Sequence, residues 1–342
     1  MGRFVLLTSA FALIFLAIGF IVVRQPGVRL NLMAQDQEAR FAALQQEPPP
    51  LDAILATPCA SGPCLFVQAG GREFVVGAGQ GSADGLVRRG LLSDKLDGVI
   101  LTDLESEHLE GLIGLRDRSL EAGRRKELGV YGPAGTNRVV EGLNAMLEVS
   151  DADRSVRFGQ SVLPFSSAPA WAVELDYSAD PVTLFDSGVL QIHMFPVRSA
   201  LTGSQAVIRF DYESSSLIVG GCGARLEDIR RAAVEAKPNK LLVLPASSPD
   251  QLDIIKNEAR QAGMRHASRF AASAADFCLA GAGLKAVAED IEAQQVLASP
   301  LYPSPETLRE DAQWSSDLNK VFKGSSISVV SGEPWRTVQV GP

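Results

Sequence analysis

Histidine, cysteine and net positive charge are all scarce in this chain of 342 residues. The three histidines are His108, His193 and His266, so a metal site that needs more than three imidazoles is excluded. Four cysteines are too few for a fold held together mainly by disulfides. The formal net charge of −8 argues against general nucleic-acid binding, because such binding depends on a basic surface.

One long hydrophobic run near the amino terminus contains no charged residue. It begins at Phe4 and ends at Val23, and as a helix it spans roughly 30 Å, the thickness of the hydrocarbon core of a bilayer. A cleaved signal peptide is the alternative, although its apolar stretch is usually only about 7–15 residues long. We therefore predict a single-pass anchor over residues 1–29, with the membrane as a partner through residues 4–23. Basic residues flank both ends of the run and leave its orientation open.

The remainder of the chain reads as a stalk followed by a folded domain. Residues 30–54 are polar with scattered apolar positions and include three consecutive prolines, which favours a spacer. Over residues 55–342, short apolar runs alternate with glycines and with stretches of helical spacing. A hairpin around Gly70 and Gly71 is followed by a strand at 98–101 and a helix at 109–118. This order predicts an α/β domain with two mixed sheets and helices packed outside them.

Three stretches of this domain resemble the metallo-β-lactamase fold, in the branch of the tRNA 3′-processing nucleases and arylsulfatase-type hydrolases. They are PCLFVQAGGREFVVGAG at 63–79, LDGVILTDLESEH at 96–108 and IVGGCG at 218–223. The resemblance implies one four-layer αββα sandwich over the whole folded part.

The metal-binding motifs that this resemblance implies are degenerate. Active members carry His-x-His-x-Asp-His in the loop after the strand at 98–101, where two divalent metals activate a water molecule. Asp103 and Glu105 stand at the two early histidines, Glu107 stands at the aspartate, and only His108 matches.

The remote motif positions depart from the family as well. Gly77 stands where the family has an aspartate after the second hairpin strand, and Cys222 stands at the bridging aspartate. Pro300 stands near a late histidine. A dinuclear hydrolase site is therefore not expected.

The leading hypothesis is a membrane-anchored, non-catalytic member of the fold without a metal cofactor. It would bind a small ligand or an envelope protein in the former active-site cleft, which is now acidic. The enzyme alternative is a divergent ester or phosphodiester hydrolase with one Zn held by Glu107, His108 and Cys222. Other interpretations stay open: a structural subunit of an envelope complex, an acidic loop that is only a solvated rim, and a buried Cys222 that acts as a small hydrophobe.

The cysteines bear on location. Cys59 and Cys64 are close enough in sequence to close a small disulfide loop, although two separate thiols remain the alternative. A disulfide there would favour an extracytoplasmic, periplasmic domain, because disulfides persist in oxidising compartments. Cys278 lies in an alanine-rich stretch at 270–280, which predicts a helix with Cys278 in the core.

Overall fold

The computed structural model describes residues 52–60, 62–175, 181–198, 205–275, 277–332 and 334–341, together with 31, 34 and 35. Within these ranges no helix has both the length and the apolar character needed to cross a membrane. The anchor predicted at residues 4–23 lies outside the described residues, as does nearly all of the stalk.

Seven strands form the first sheet. They are β1 Ile54–Pro58, β2 Leu65–Ala69, β3 Arg72–Val76, β4 Leu96–Ile100, β5 Leu128–Gly132, β6 Ala170–Glu174 and β15 Val338–Val340. Their order across the sheet is β15-β1-β2-β3-β4-β5-β6, antiparallel up to β3 and parallel from β3 to β6. The predicted hairpin is confirmed: Ala69 pairs with Arg72, and the two turn glycines have φ of +57° and +73°.

Eight strands form the second sheet. They are β7 Val182–Asp186, β8 Leu190–Pro196, β9 Ala206–Tyr212, β10 Ser215–Val219, β11 Asn239–Ser247, β12 Leu279–Ala280, β13 Gln295–Tyr302 and β14 Ser328–Ser331. Seven follow the order β14-β13-β11-β10-β9-β8-β7, and β12 pairs with β11. The parallel strands β10 and β11 are buried along most of their length, which explains their continuous apolar sequences.

Nine α-helices are described between residues 52 and 341. They are α1 Ser82–Arg88, α2 Ser106–Leu109, α3 Leu112–Glu121, α4 Thr136–Phe158, α5 Leu226–Ala233, α6 Pro249–Gln261, α7 Arg265–Ala274, α8 Gly281–Asp290 and α9 Leu308–Val321. The single helix predicted at 109–118 is wrong at its start, where α2 and α3 are separate. Gly111 lies between them, and a Cβ there would approach the carbonyl oxygen of Gly79 to 2.3 Å. The loop after β3 therefore passes directly against the chain between the two helices.

Two apolar cores hold the layers together. The first lies between the sheets and includes Phe74 and Phe210, whose rings meet edge to face with centroids 6.1 Å apart. The second lies between the outer face of the second sheet and the helices α5, α8 and α9, around Trp314. On the first sheet, α4 packs against β5 and β6. The structure thus confirms the predicted α/β class and its two mixed sheets, while the segment at 270–280 is not one helix, because α7 ends at Ala274.

Candidate functional site

The acidic loop after β4 is pinned between the two sheets. The amide of Ala206 donates to the carbonyl of Thr102 at 2.7 Å, and Asp103 forms an isolated antiparallel bridge with Gln205. The Asp103 Oδ1 atom accepts from the amide of Glu105 at 3.1 Å, and this turn leads directly into the short helix α2. The loop therefore holds its first carboxylate in the interior.

Asp103 and His108 form a buried pair at the centre of the site. The Nε2 atom of His108 lies 3.2 Å from Oδ2 of Asp103, and its Nδ1 atom lies 3.2 Å from the hydroxyl of Thr102. Burial raises the pKa of Asp103 to about 7, and burial lowers the pKa of His108 to about 4. Both shifts have the same cause, since an interior of low polarity disfavours the charged form of each group.

The other two carboxylates of the loop lie nearer to solvent. Glu107 is partly exposed, and its Oε1 atom accepts a hydrogen bond of 2.7 Å from the hydroxyl of Tyr302, at the end of β13. Burial raises the pKa of the Tyr302 phenol, and the nearby Glu107 carboxylate raises it further. Glu105 is exposed, and partial burial together with the charge of Asp103 raises its pKa. Two carboxylates with access to solvent therefore lie beside the buried pair.

The backbone conformation and the lack of space at position 77 both require a glycine there. Its φ is +76°, and a Cβ at this position would lie 2.6 Å from the carbonyl oxygen of Pro63. Its amide donates to the carbonyl of Ile100 at 2.8 Å, which ties the loop after β3 to the end of β4. A side chain at position 77 would need both a strained backbone and a displaced Pro63.

Cys222 does not serve as a free thiol. It lies in the loop after β10 and is joined by a disulfide to Cys278, 56 positions later in the chain. One guanidinium nitrogen of Arg225 also donates to the carbonyls of Cys222, at 2.8 Å, and of Phe277, at 3.3 Å. Cys222 therefore offers no thiolate while this bond is intact, which corrects the ligand set of the hydrolase alternative. Cys278 is buried as expected, but it forms a disulfide.

Cys59 and Cys64 are joined by the disulfide that their spacing suggested. The bridge closes the loop between β1 and β2, where the amide of Cys59 also donates to the carbonyl of Cys64 at 2.9 Å. All four cysteines of the chain are therefore paired.

A small cavity of about 30 Å³ lies between the sheets, beside the buried pair. Gly77, Thr102, His108, Ser299 and Pro300 contribute to its wall, and most of the remaining lining is apolar. The position of Pro300 thus belongs to the same site as the acidic loop, although its side chain has no donor to offer. A volume of this size is enough for one or two water molecules.

The predicted site residues are brought together at one end of the sandwich, where Asp103, His108 and one oxygen of Glu107 contact other protein groups and Cys222 is in a disulfide. Among the residues that the structure describes, no group of three or more His, Cys, Asp or Glu side chains is arranged to hold a metal ion. His193 lies on β8 with its Nδ1 atom 3.2 Å from the hydroxyl of Thr183, and His266 is exposed on α7. Among the described residues, neither of these two histidines contacts the acidic loop.

Three participants were missed at the level of sequence: Thr102, Tyr302 and Cys278. Thr102 directly precedes the acidic loop, so its place in the sequence could have indicated it. Tyr302 and Cys278 reach the site from distant segments, and no local pattern marks them.

The comparisons with known proteins agree with this architecture. No family model matches the chain. It is 37% identical to ribonuclease Z of Brevibacillus brevis over 79 residues, 23% of this chain and 24% of that enzyme. It is 24% identical to ribonuclease Z of Methanocaldococcus jannaschii over 132 residues, 39% of this chain and 37% of that enzyme. The chain thus spans less than two fifths of the length of either curated relative.

Solved structures share the fold over a larger part of the chain. The short form of human tRNase Z has a TM-score of 0.53 at 15% identity, over 84% of this chain and 98% of that one. A metallo-β-lactamase fold protein of Bacillus subtilis has a TM-score of 0.52 at 13% identity, over 84% of this chain and all of that one. These similarities concern the fold alone.

Proposed function

We propose that the chain binds a ligand or partner protein in the former active-site cleft, without metal-dependent hydrolysis. The metallo-β-lactamase fold and the sequence similarity to ribonuclease Z support the position of that cleft. The disulfide between Cys222 and Cys278 is the observation that carries this proposal. Zinc binds the thiolate form of cysteine, and a sulfur bonded to another sulfur does not supply it.

The remaining donors support the same conclusion. A metal at Nε2 of His108 would have to replace the contact with Asp103, and at Glu107 one carboxylate oxygen already accepts from the hydroxyl of Tyr302. Breaking the contact between Asp103 and His108 would leave a buried polar group without its hydrogen-bond partner, which costs free energy. The donor set does not fit a single zinc ion in this arrangement.

The charge of the cleft indicates its occupant. Glu105 is exposed and Glu107 is partly exposed on the loop beside the cleft, and within the described residues neither forms an ion pair with a lysine or arginine. A ligand amine, or a lysine or arginine from an envelope partner protein, would complement these carboxylates. We therefore infer a basic occupant.

A matched pair of variants tests the proposal against the hydrolase alternative. Cys278→Ser leaves a thiol at position 222, and Cys222→Ser leaves one at position 278, while both lose the same disulfide. We expect the full-length parent and both variants, purified in detergent, to hold no stoichiometric zinc after dialysis. We also expect no hydrolysis of nitrophenyl esters or of a bis-nitrophenyl phosphate.

The contrary outcomes are distinct. Zinc in the parent, lost in Cys222→Ser, would overturn the proposal. Zinc in Cys278→Ser but not in Cys222→Ser, accompanied by hydrolysis, would establish the single-metal hydrolase in the reduced protein.

We also propose that the chain is anchored by residues 4–23 and that its folded domain lies outside the cytoplasm. The uncharged run and the pairing of all four cysteines support this location. The test is thiol labelling of the protein extracted under denaturing conditions, with and without prior reduction. Labelling only after reduction is expected, and labelling without reduction would contradict the location.

A further inference from the structure

A wide groove of about 680 Å³ lies at the opposite end of the first sheet from the acidic cleft. Arg72 and Leu96, the first residues of β3 and β4, line it, as does Glu127, which directly precedes β5. The acidic cleft forms at the carboxyl ends of these parallel strands, so the two sites are separated by the length of the sheet. The volume is within the range of pockets that bind small molecules.

One wall of the groove is aromatic and is built on glycine backbone. Trp171 on β6 is 42% exposed, and its ring meets that of Tyr131 edge to face at 5.6 Å. Gly129 pairs with Trp171 across the strands, and a Cβ there would lie 3.2 Å from the indole. A Cβ at Gly98 would lie 2.7 Å from the ring of Tyr131. The absence of these two side chains lets both rings lie against the sheet and leaves the indole open to a ligand.

The second wall comes from the other sheet. Phe185 on β7 packs edge to face against Phe74, with ring centroids 5.6 Å apart. The guanidinium of Arg72 lies over the Phe185 ring at 5.3 Å and pairs with Asp97 at 3.0 Å. Aromatic surface therefore faces the groove from both sheets.

A buried cation stands in the groove lining without a carboxylate partner. Arg124 is 3% exposed, and its guanidinium donates to the hydroxyl of Ser119 at 3.0 Å and to the carbonyl of Ser167 at 2.8 Å. It also donates to the carbonyls of Arg116 and Lys126. Among the described residues no carboxylate lies within ion-pair distance of it. These neutral oxygens satisfy its hydrogen bonds but do not neutralise its charge.

The charges around Arg124 leave an excess of cations. Besides Arg124, the lining cations Lys95, Arg125 and Lys126 form no ion pair with any described residue. Two lining carboxylates, Asp94 and Glu127, oppose these four cations, since Asp97 is neutralised by Arg72. The local charge is thus positive, although the net charge of the whole chain is −8.

We propose that this groove binds a small aromatic anion of nucleotide size, with its ring against Trp171 and its anionic group near Arg124 and Lys126. Stacking on an indole favours a planar ring, and clustered lysines and arginines favour a phosphate-like group. The site is independent of the acidic cleft and of whether that cleft carries out any chemistry.

Calorimetric titration of the full-length protein with adenosine monophosphate tests the proposal. Saturable binding of one equivalent is expected, and adenosine or inorganic phosphate alone should bind at least about tenfold more weakly because each lacks one of the two groups. Trp171→Ala and Lys126→Glu should each weaken binding about tenfold, while Trp171→Phe should retain most of it.

Two matched controls accompany these variants. Phe270→Ala removes another exposed aromatic ring, and Lys323→Glu changes the net charge by the same amount as Lys126→Glu; both should bind as the parent does. Failure to saturate at millimolar concentrations would overturn the proposal. Equal loss in the variants and the controls would overturn it too, as would retention of full affinity in both Trp171→Ala and Lys126→Glu when melting curves show all variants folded.

Discussion

Removing the disulfide between Cys222 and Cys278 should lower the unfolding free energy about twice as much as removing the one between Cys59 and Cys64. The reason is the length of chain that each bond closes: the paired cysteines are 56 positions apart in the first case and 5 in the second. In the chain-entropy model, a crosslink stabilises the folded state by restricting the unfolded chain, and the effect grows with the logarithm of loop length. The longer loop corresponds to about 4 kcal/mol of unfolding free energy and the shorter to about 2 kcal/mol.

The assay is chemical denaturation of three forms of the full-length chain: the parent and the two double variants in which one pair of cysteines becomes serine. Under oxidising conditions the Cys222→Ser/Cys278→Ser variant should lose about twice as much unfolding free energy as the Cys59→Ser/Cys64→Ser variant. After full reduction, verified by a thiol count, the three forms should converge.

Two results would refute the reasoning. Equal losses in the two variants would show that loop length does not determine the stabilisation. A parent whose unfolding does not change on full reduction would show that neither bond restricts the unfolded chain. The comparison also concerns the cleft, because the disulfide to Cys278 holds in place the segment that carries Cys222.

Three further predictions concern buried ionisable groups. Raising the pH from about 4 to 7 should destabilise His108→Gln, since the pKa of Asp103 is raised to about 7 in the folded state and the unfolded chain loses this proton first. Lowering the pH from about 6.5 to 4 should instead destabilise Asp103→Asn, because the pKa of His108 is lowered to about 4 and the unfolded chain takes up the proton first. Denaturation curves across this range should give slopes of opposite sign in the two variants, each up to about 1.4 kcal/mol per pH unit, and slopes of the same sign would contradict both assignments. Asp151→Asn should lower the unfolding free energy by about 3 kcal/mol, because Arg116, which is 0% exposed, keeps only its longer ion pair with Asp117, at 3.5 Å. The exposed-pair control Asp290→Asn should lose far less, and a comparable loss would contradict the importance of burial.

The elements that depend on nearby residues could be predicted from the sequence. The turn glycines 70 and 71 lie between two short apolar runs, and the hairpin forms at that position, where Ala69 pairs with Arg72. The apolar run at 98–101 corresponds to β4, and the acidic loop follows it directly. Such features are determined by backbone preference and by the spacing of apolar residues within one element.

The contacts that define the site join segments far apart in the chain. Glu107 meets Tyr302 across 195 positions, and Cys222 meets Cys278 across 56. Neither partner has a local pattern that indicates the other, because their meeting depends on how β13 and the segment after α7 are placed by the second sheet. The sequence alone therefore could not exclude a free thiol at position 222, whereas the tertiary structure pairs Cys222 with Cys278.

The interior of the fold does not depend on the side chains that the metal-binding motifs have lost. The core between the sheets consists of apolar residues, and the site loops are held largely by backbone hydrogen bonds: Ala206 to Thr102, Gly77 to Ile100, and Ala78 to the carbonyl of His108 at 2.9 Å. Burying an imidazole and a carboxylate is costly unless each finds a partner. In this chain the imidazole of His108 and the carboxylate of Asp103 contact each other at 3.2 Å, so each has a partner within the protein. These contacts within the protein explain how the sandwich accommodates a site without the family's metal ligands. The fold alone therefore does not decide between binding and hydrolysis, and the matched cysteine variants do.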